Sequence, residues 1–197
     1  SAGFMHGVLN TDNMSILGIT LDYGPFGFME AYDPAHICNH TDQQGRYSYR
    51  MQPRIGEWNC YALGQAMVSL IGDVDDVHEA LSVYQPAFET RMASLWQAKL
   101  GLQSHSHGDD QLVARLLEIL ARNHVDFPLF FRRLSDVKRE DSGSDAPLRD
   151  LFLDRPALDA WLAEYRQRLG QEHSDDTARK QNMDRVNPKY VLRNYLA

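Results

Sequence analysis

Three polar side chains near the start of the chain, Asp12, Asn13 and Asp22, have the types and spacing to hold a magnesium ion and to move a proton beside it. Magnesium binds through one or two carboxylates or other hard oxygens together with phosphate oxygens and water, so an amide oxygen (Asn13) and a carboxylate (Asp22) can share one ion. A further carboxylate at Asp12 could accept a proton from an attacking group. Asp12 and Asn13 close the string His6-Gly7-Val8-Leu9-Asn10-Thr11-Asp12-Asn13, and Asp22-Tyr23-Gly24 begins nine residues after Asn13. Either string alone is ordinary turn chemistry, because short polar side chains bond their own backbone. Their order and separation together point to a site.

These side chains need elements to position them. Met14-Ser15-Ile16-Leu17-Gly18-Ile19-Thr20-Leu21 is rich in aliphatic and β-branched residues with Gly18 at its middle, which predicts a short hairpin with Asn13 and Asp22 at its two ends. Beyond it the apolar periodicity is helical. Pro53 suits a first turn, and Ile55, Trp58, Ala62, Met67, Leu70 and Ile71 keep one face apolar until Gly72. Asp75-Asp76 lead a long pattern through Val77, Leu81, Tyr84, Phe88, Met92, Leu95 and Trp96 toward Gly101, with a kink or break predicted at Pro86. Further helices are predicted over Asp110 to Asn123, Asp126 to Leu134, Pro156 to Leu169 and Asp175 to Arg185, while polar Lys138 to Pro147 reads as a mobile loop.

The order of the two motifs resembles protein kinases, in which a His-Arg-Asp turn precedes a magnesium-binding Asn and a later Asp-Phe-Gly supplies the second metal ligand. With Asn13 on the kinase Asn, His6 falls on the kinase His and Val8 on the catalytic Asp. Valine accepts no proton, and Asp12 is the only acidic residue between His6 and Asn13, so Asp12 becomes the candidate base.

The longer strings resemble the selenoprotein O (SelO) family of kinase-like proteins: His6 to Ser15, Asp22-Tyr23-Gly24-Pro25-Phe26-Gly27-Phe28, Ile37 to Ser48, Gln52-Pro53, and Asn187-Pro188-Lys189-Tyr190-Val191-Leu192-Arg193-Asn194. The resemblance implies an adenylyltransferase that moves AMP from ATP to Ser, Thr or Tyr hydroxyls of proteins, with ATP held inverted. It gives Asp12 the role of proton acceptor, and Asn13 and Asp22 the roles of magnesium ligands, Asp22 also serving the nucleotide site. The implied fold is mainly α, a kinase-like C-lobe: residues 1–28 a catalytic and metal loop with the short β-hairpin, 29–54 an activation-segment-like loop, and 55–197 a helical body. Ser1-Ala2-Gly3 stands almost directly on the catalytic loop, which reads as a C-terminal fragment without its N-lobe and inactive alone. A phosphotransferase of the kinase type and a non-catalytic helical binding module are the alternatives.

Composition narrows the partners. The 197 residues are 43% hydrophobic and carry a net charge of −7, so one good core can form. There is no basic face for nucleic acid and no apolar run long enough to span a membrane. The expected compartment is the cytoplasm for a bacterial source, or the mitochondrion for a eukaryotic one. Two cysteines make no disulfide scaffold: Cys60 falls in a helical pattern and reads as core, and Cys38 lies in a loop. Cys38 reads either as a buried thiol with no function or, on the family resemblance, as a redox partner for a cysteine in a tail beyond Ala197. His105-Ser106-His107-Gly108-Asp109-Asp110 has zinc-ligand types but no second cluster, and its aspartates read more simply as helix caps. His40, Asp42, Arg46 and Tyr47 follow Asp-Tyr-Gly and read either as a substrate-shaping surface or as an internal clamp that fixes their loop.

Overall fold

The computed structural model describes residues 2–19, 21 and 24–193, and it is mainly helical. Among the described residues one two-stranded antiparallel sheet pairs β1 (Phe4–Met5) with β2 (Gly27–Phe28). Eight α-helices follow among the described residues: α1 (Gln52–Ile71), α2 (Val74–Ser82), α3 (Tyr84–Lys99), α4 (Asp109–Asn123), α5 (Phe127–Leu134), α6 (Ala146–Arg149), α7 (Arg155–Gln171) and α8 (Asp176–Val186). Backbone contacts divide the chain into two compact units: one of Phe4–Gly27 with Pro34–Arg91, the other of Gly3, Phe28–Asp33 and the chain from Met92.

In the first unit α1 is the main support. It starts with Pro53 in its first turn, where the missing N–H costs nothing, and stops at Gly72 in the left-handed conformation. α2 packs directly against it, because Gly64 leaves room: a Cβ there would lie 2.7 Å from Val77 Cγ1. The predicted break around Pro86 occurs three residues earlier, at Val83. Proline in the third position of α3 has no N–H for the carbonyl of Ser82, so α2 ends there and α3 begins anew.

The second unit holds the larger core. Phe127, Phe130 and Phe131 of α5, Leu116 and Leu120 of α4, and Leu158, Leu162, Tyr165 and Leu169 of α7 are all essentially inaccessible. The aromatic polar tips are satisfied: Trp161 Nε1 donates to the Leu112 carbonyl at 2.9 Å and the Tyr165 hydroxyl to the Leu100 carbonyl at 2.7 Å. Aspartates cap three of its helices, Asp126 accepting from Leu129 N, Asp154 from Ala157 N and Asp175 from Ala178 N. The segment expected to be a mobile loop, Lys138 to Pro147, instead forms a 3-10 turn (Ser142–Asp145) running into α6. Its polar residues bond within the protein: Asp145 is buried and receives Arg166 at 2.6 Å, while Arg166 Nε donates to the Lys138 carbonyl at 3.0 Å.

Lys99 ends α3 inside this core. Its ammonium donates to Asn187 Oδ1 at 2.8 Å and lies 3.8 Å from the Phe131 ring centroid, with no carboxylate paired to it among the described residues. Burial lowers its pKa to about 7. The unfolded chain holds this proton up to the ordinary lysine range near 10.5 while the folded chain releases it near 7, so between these values unfolding takes up a proton and stability rises with pH. Going from pH 7 to pH 9 should therefore stabilise the parent by roughly 2 kcal/mol relative to Lys99→Met. Urea denaturation of both proteins at the two pH values checks this; parallel pH dependences would mean that Lys99 stays charged in the fold.

Candidate functional site

The loop between β1 and β2 has little regular structure of its own, and side chains of α1 hold it. Gln52, in the first turn of α1, donates from Nε2 to the Phe4 carbonyl at 3.0 Å and accepts the His6 N–H on Oε1 at 2.9 Å. It acts as a one-residue strand partner for the end of β1. One turn in from Ile55, Asn59 projects from the same face of α1, is 5% exposed, and donates to the Leu9 carbonyl at 3.0 Å. No described residue bonds its buried Oδ1.

Thr11, Asp12 and Asn13 form a 3-10 turn, closed by the Asn13 N–H on the Asn10 carbonyl at 3.1 Å. The Asn13 side chain donates from Nδ2 to the Val8 carbonyl at 3.0 Å. That bond fixes which end of the amide is which: Oδ1 faces away from Val8 and accepts from no described residue. Asp12 is exposed, and its carboxylate makes no hydrogen bond or ion pair with any described residue. A cleft of about 270 Å³ opens beside this turn, lined by His6, Leu9, Asn13, Gly24 and the stacked rings of Phe4 and Phe26. Asp22 and Tyr23 lie outside the described residues. Among the described residues no three His, Cys, Asp or Glu side chains cluster as metal ligands.

The described residues of Met14 to Leu21 do not form the predicted hairpin. The turn at its centre is present, with the Gly18 N–H on the Ser15 carbonyl at 3.0 Å, but no described residue of this stretch is in a strand. An isolated two-stranded hairpin is marginal unless its apolar face is covered. Here Ile16, Leu17, Ile19 and Leu21 are 56–79% exposed, so pairing would gain little. The strands that do pair, β1 and β2, lie outside the two motifs.

The segment after Asp-Tyr-Gly is held from within. Asp42 accepts the Arg46 N–H at 2.9 Å and the Tyr47 N–H at 2.8 Å, the internal clamp among the two readings of this cluster. Arg46 stacks over Trp58 of α1, and the Tyr47 hydroxyl donates to Asn10 Oδ1. Cys38 and Cys60 are both free. Cys38 donates to the Pro25 carbonyl at 3.0 Å, and burial, with the Asp42 carboxylate adding to it, pushes its thiol pKa up. Cys60, expected in a core, is half-buried in the wall of a second, apolar cleft beside Met14 and Ile16. In the second unit Asp109 is taken by Arg168 at 2.6 Å and by the Ser106 N–H, so the His105 to Asp110 string is a structural corner of α4.

The family described as "Protein adenylyltransferase SelO" matches residues 1–197. The chain belongs to the SelO family. It is 61% identical over 197 residues to a protein nucleotidyltransferase YdiU of Herminiimonas arsenicoxydans, a match that covers all of this chain and 39% of that relative. It is 52% identical over 211 aligned residues to the proteins of the same name from Burkholderia cenocepacia and Burkholderia ambifaria, covering 40% of each. The chain thus spans about two fifths of the length of these SelO relatives.

Sequence reasoning missed Gln52 and Asn59 as supports of the SelO loop. Asn59 left a readable signal, a polar residue four places after Ile55 on the face of α1 that turns inward. Gly7 left a weaker one. It has φ +85°, and a Cβ there would lie 2.1 Å from the Pro25 carbonyl oxygen and 3.0 Å from Cys38 Sγ, so only glycine lets the two motif segments pass. Gly7→Ala should cost roughly 3 kcal/mol or more, against about 1 kcal/mol for Gly18→Ala, which has a positive φ but open space. Denaturant midpoints compare them directly; equal losses would show that the contact at Pro25 relaxes freely.

Proposed function

We propose that the polypeptide of which these residues form part is a protein adenylyltransferase, in which a protein Ser, Thr or Tyr hydroxyl attacks the α-phosphate of ATP, the bond to the β-phosphate breaks, AMP is transferred and pyrophosphate leaves, and that this chain is its kinase-like C-lobe. The observation that carries this reading is the coincidence of a SelO match over all 197 residues of the chain with a turn in which Asn13 Oδ1 and the Asp12 carboxylate bond no described residue. The donor set fits magnesium: a hard amide oxygen already oriented by Val8, with Asp22 as the carboxylate partner. Bound there, the ion would neutralise charge on the phosphates during transfer.

The chain's own residues do the rest. Asn13 is held in one orientation by its Val8 bond, so no rotamer search precedes ligation. Val8 cannot act as a base, and Asp12, which bonds no described residue, accepts the proton of the attacking hydroxyl. His6 and the Phe4–Phe26 pair wall the cleft beside Asn13.

The test is mass spectrometry with ATP and magnesium on a polypeptide of the relatives' full length containing this sequence. A protein substrate or the enzyme itself should gain AMP; a gain of phosphate would indicate the kinase reaction, and no change a binding module. Asp22→Ala should abolish both nucleotide binding and transfer. Asp12→Ala should leave binding largely intact and slow transfer by about 10²–10⁴-fold, the usual worth of a positioned base. Near-normal transfer by Asp12→Ala beside a dead Asp22→Ala would reduce Asp12 to a turn residue.

A further inference from the structure

Asn10 occupies the position before the Thr11–Asn13 turn, where an asparagine side chain normally folds back to accept a backbone N–H of that turn. It does not do so here. Its backbone is extended, at φ −76° and ψ 164°, as a cap requires, yet its side chain makes no capping bond. Asn10 Oδ1 instead receives the hydroxyl of Tyr47, from a segment 37 residues further along the chain.

Tyr47 is itself fixed. Its N–H and that of Arg46 are both held by Asp42, and the Asp42 N–H bonds back to the Asn39 carbonyl at 3.0 Å. The Arg46 guanidinium packs over the Tyr47 ring at 5.7 Å and the Trp58 ring of α1 at 4.9 Å. The phenol therefore approaches Asn10 from a braced loop anchored on the same helix that supplies Asn59 to the Leu9 carbonyl. Residues 9 and 10 are gripped from two sides, and the turn carrying Asp12 and Asn13 is what they lead into.

We propose that Tyr47 is a positioning residue: its hydroxyl draws the Asn10 side chain away from the cap and thereby sets the orientation of the Asp12–Asn13 turn. The proposal rests on the adenylyltransferase reading for its catalytic consequence, but not for the coupling itself. Without the hydroxyl, Asn10 Oδ1 is free to accept a turn N–H, and the turn has two competing arrangements instead of one. The loop from Asn39 to Ser48 thus communicates with the catalytic turn through one phenol, so anything that displaces that loop also unsettles Asp12 and Asn13.

The experiment uses the full-length polypeptide with Tyr47→Phe, Asn10→Ala and the double variant. Two readouts are taken: kcat and KM for ATP in AMP transfer, and amide hydrogen exchange over residues 8–15. Tyr47→Phe should lower kcat about tenfold while KM for ATP stays within about twofold, and the double variant should be no slower than Tyr47→Phe alone, because both changes remove the same contact. Exchange over the turn should be several-fold faster in Tyr47→Phe, as expected when one fixed arrangement becomes two. A kcat within about twofold of the parent, or single effects that multiply in the double, would overturn the positioning role. If the parent transfers no AMP, the adenylyltransferase reading falls, and exchange alone decides the coupling: unchanged exchange over residues 8–15 overturns it, and accelerated exchange upholds it.

Discussion

Two amide side chains on one helix hold the shape of the loop that carries Asp12 and Asn13. Gln52 ties the end of β1, and Asn59 ties the Leu9 carbonyl two turns further along α1. A loop with this little secondary structure has backbone groups that must find partners elsewhere. An amide side chain answers that need well, because it can donate and accept at once without a charge that would be costly to bury. The apolar stripe of α1 therefore matters to the site indirectly: it fixes the helix, and the helix fixes the amides.

The acidic balance of the chain has a structural use of its own. In the second unit Asp126, Asp154 and Asp175 serve helix N-termini, and Asp109 and Asp145 are buried against Arg168 and Arg166. A carboxylate at an N-terminus satisfies free N–H groups and meets the positive end of the helix dipole. The net charge of −7 is thus partly the signature of capping and gives no indication of a cationic partner.

Where apolar periodicity was long, the sequence was legible. α1, α4, α5, α7 and α8 begin and end within a few residues of the spans read from their stripes, since Pro53, Gly72 and the capping aspartates act locally. Reading failed where local composition and tertiary cover disagreed. Met14 to Leu21 has strand-forming residues but nothing among the described residues to bury them against, and Lys138 to Pro147 looked like a loop because the arginine that organises it lies at position 166. In the candidate site the residue types were visible at Asp12 and Asn13, whereas the Tyr47–Asn10 and Asn59–Leu9 contacts join segments 37 and 50 residues apart. No periodicity encodes contacts at that range.

The same geometry explains why a valine is tolerable at position 8. The Val8 backbone carries the duty there: its carbonyl orients Asn13 and its N–H faces His6 Nδ1 at 3.4 Å, so the side chain is free to be apolar. A carboxylate at position 8 would belong to the residue whose carbonyl already binds the Asn13 amide. One at position 12 emerges from the exposed side of the turn, uncommitted to any described partner. On the roles proposed above, the residue whose carbonyl orients the Asn13 amide is distinct from the residue that would take the proton, so each can vary without disturbing the other. Placing the proposed base at position 12 instead of position 8 then requires no change in the side chains of α1 that support the loop.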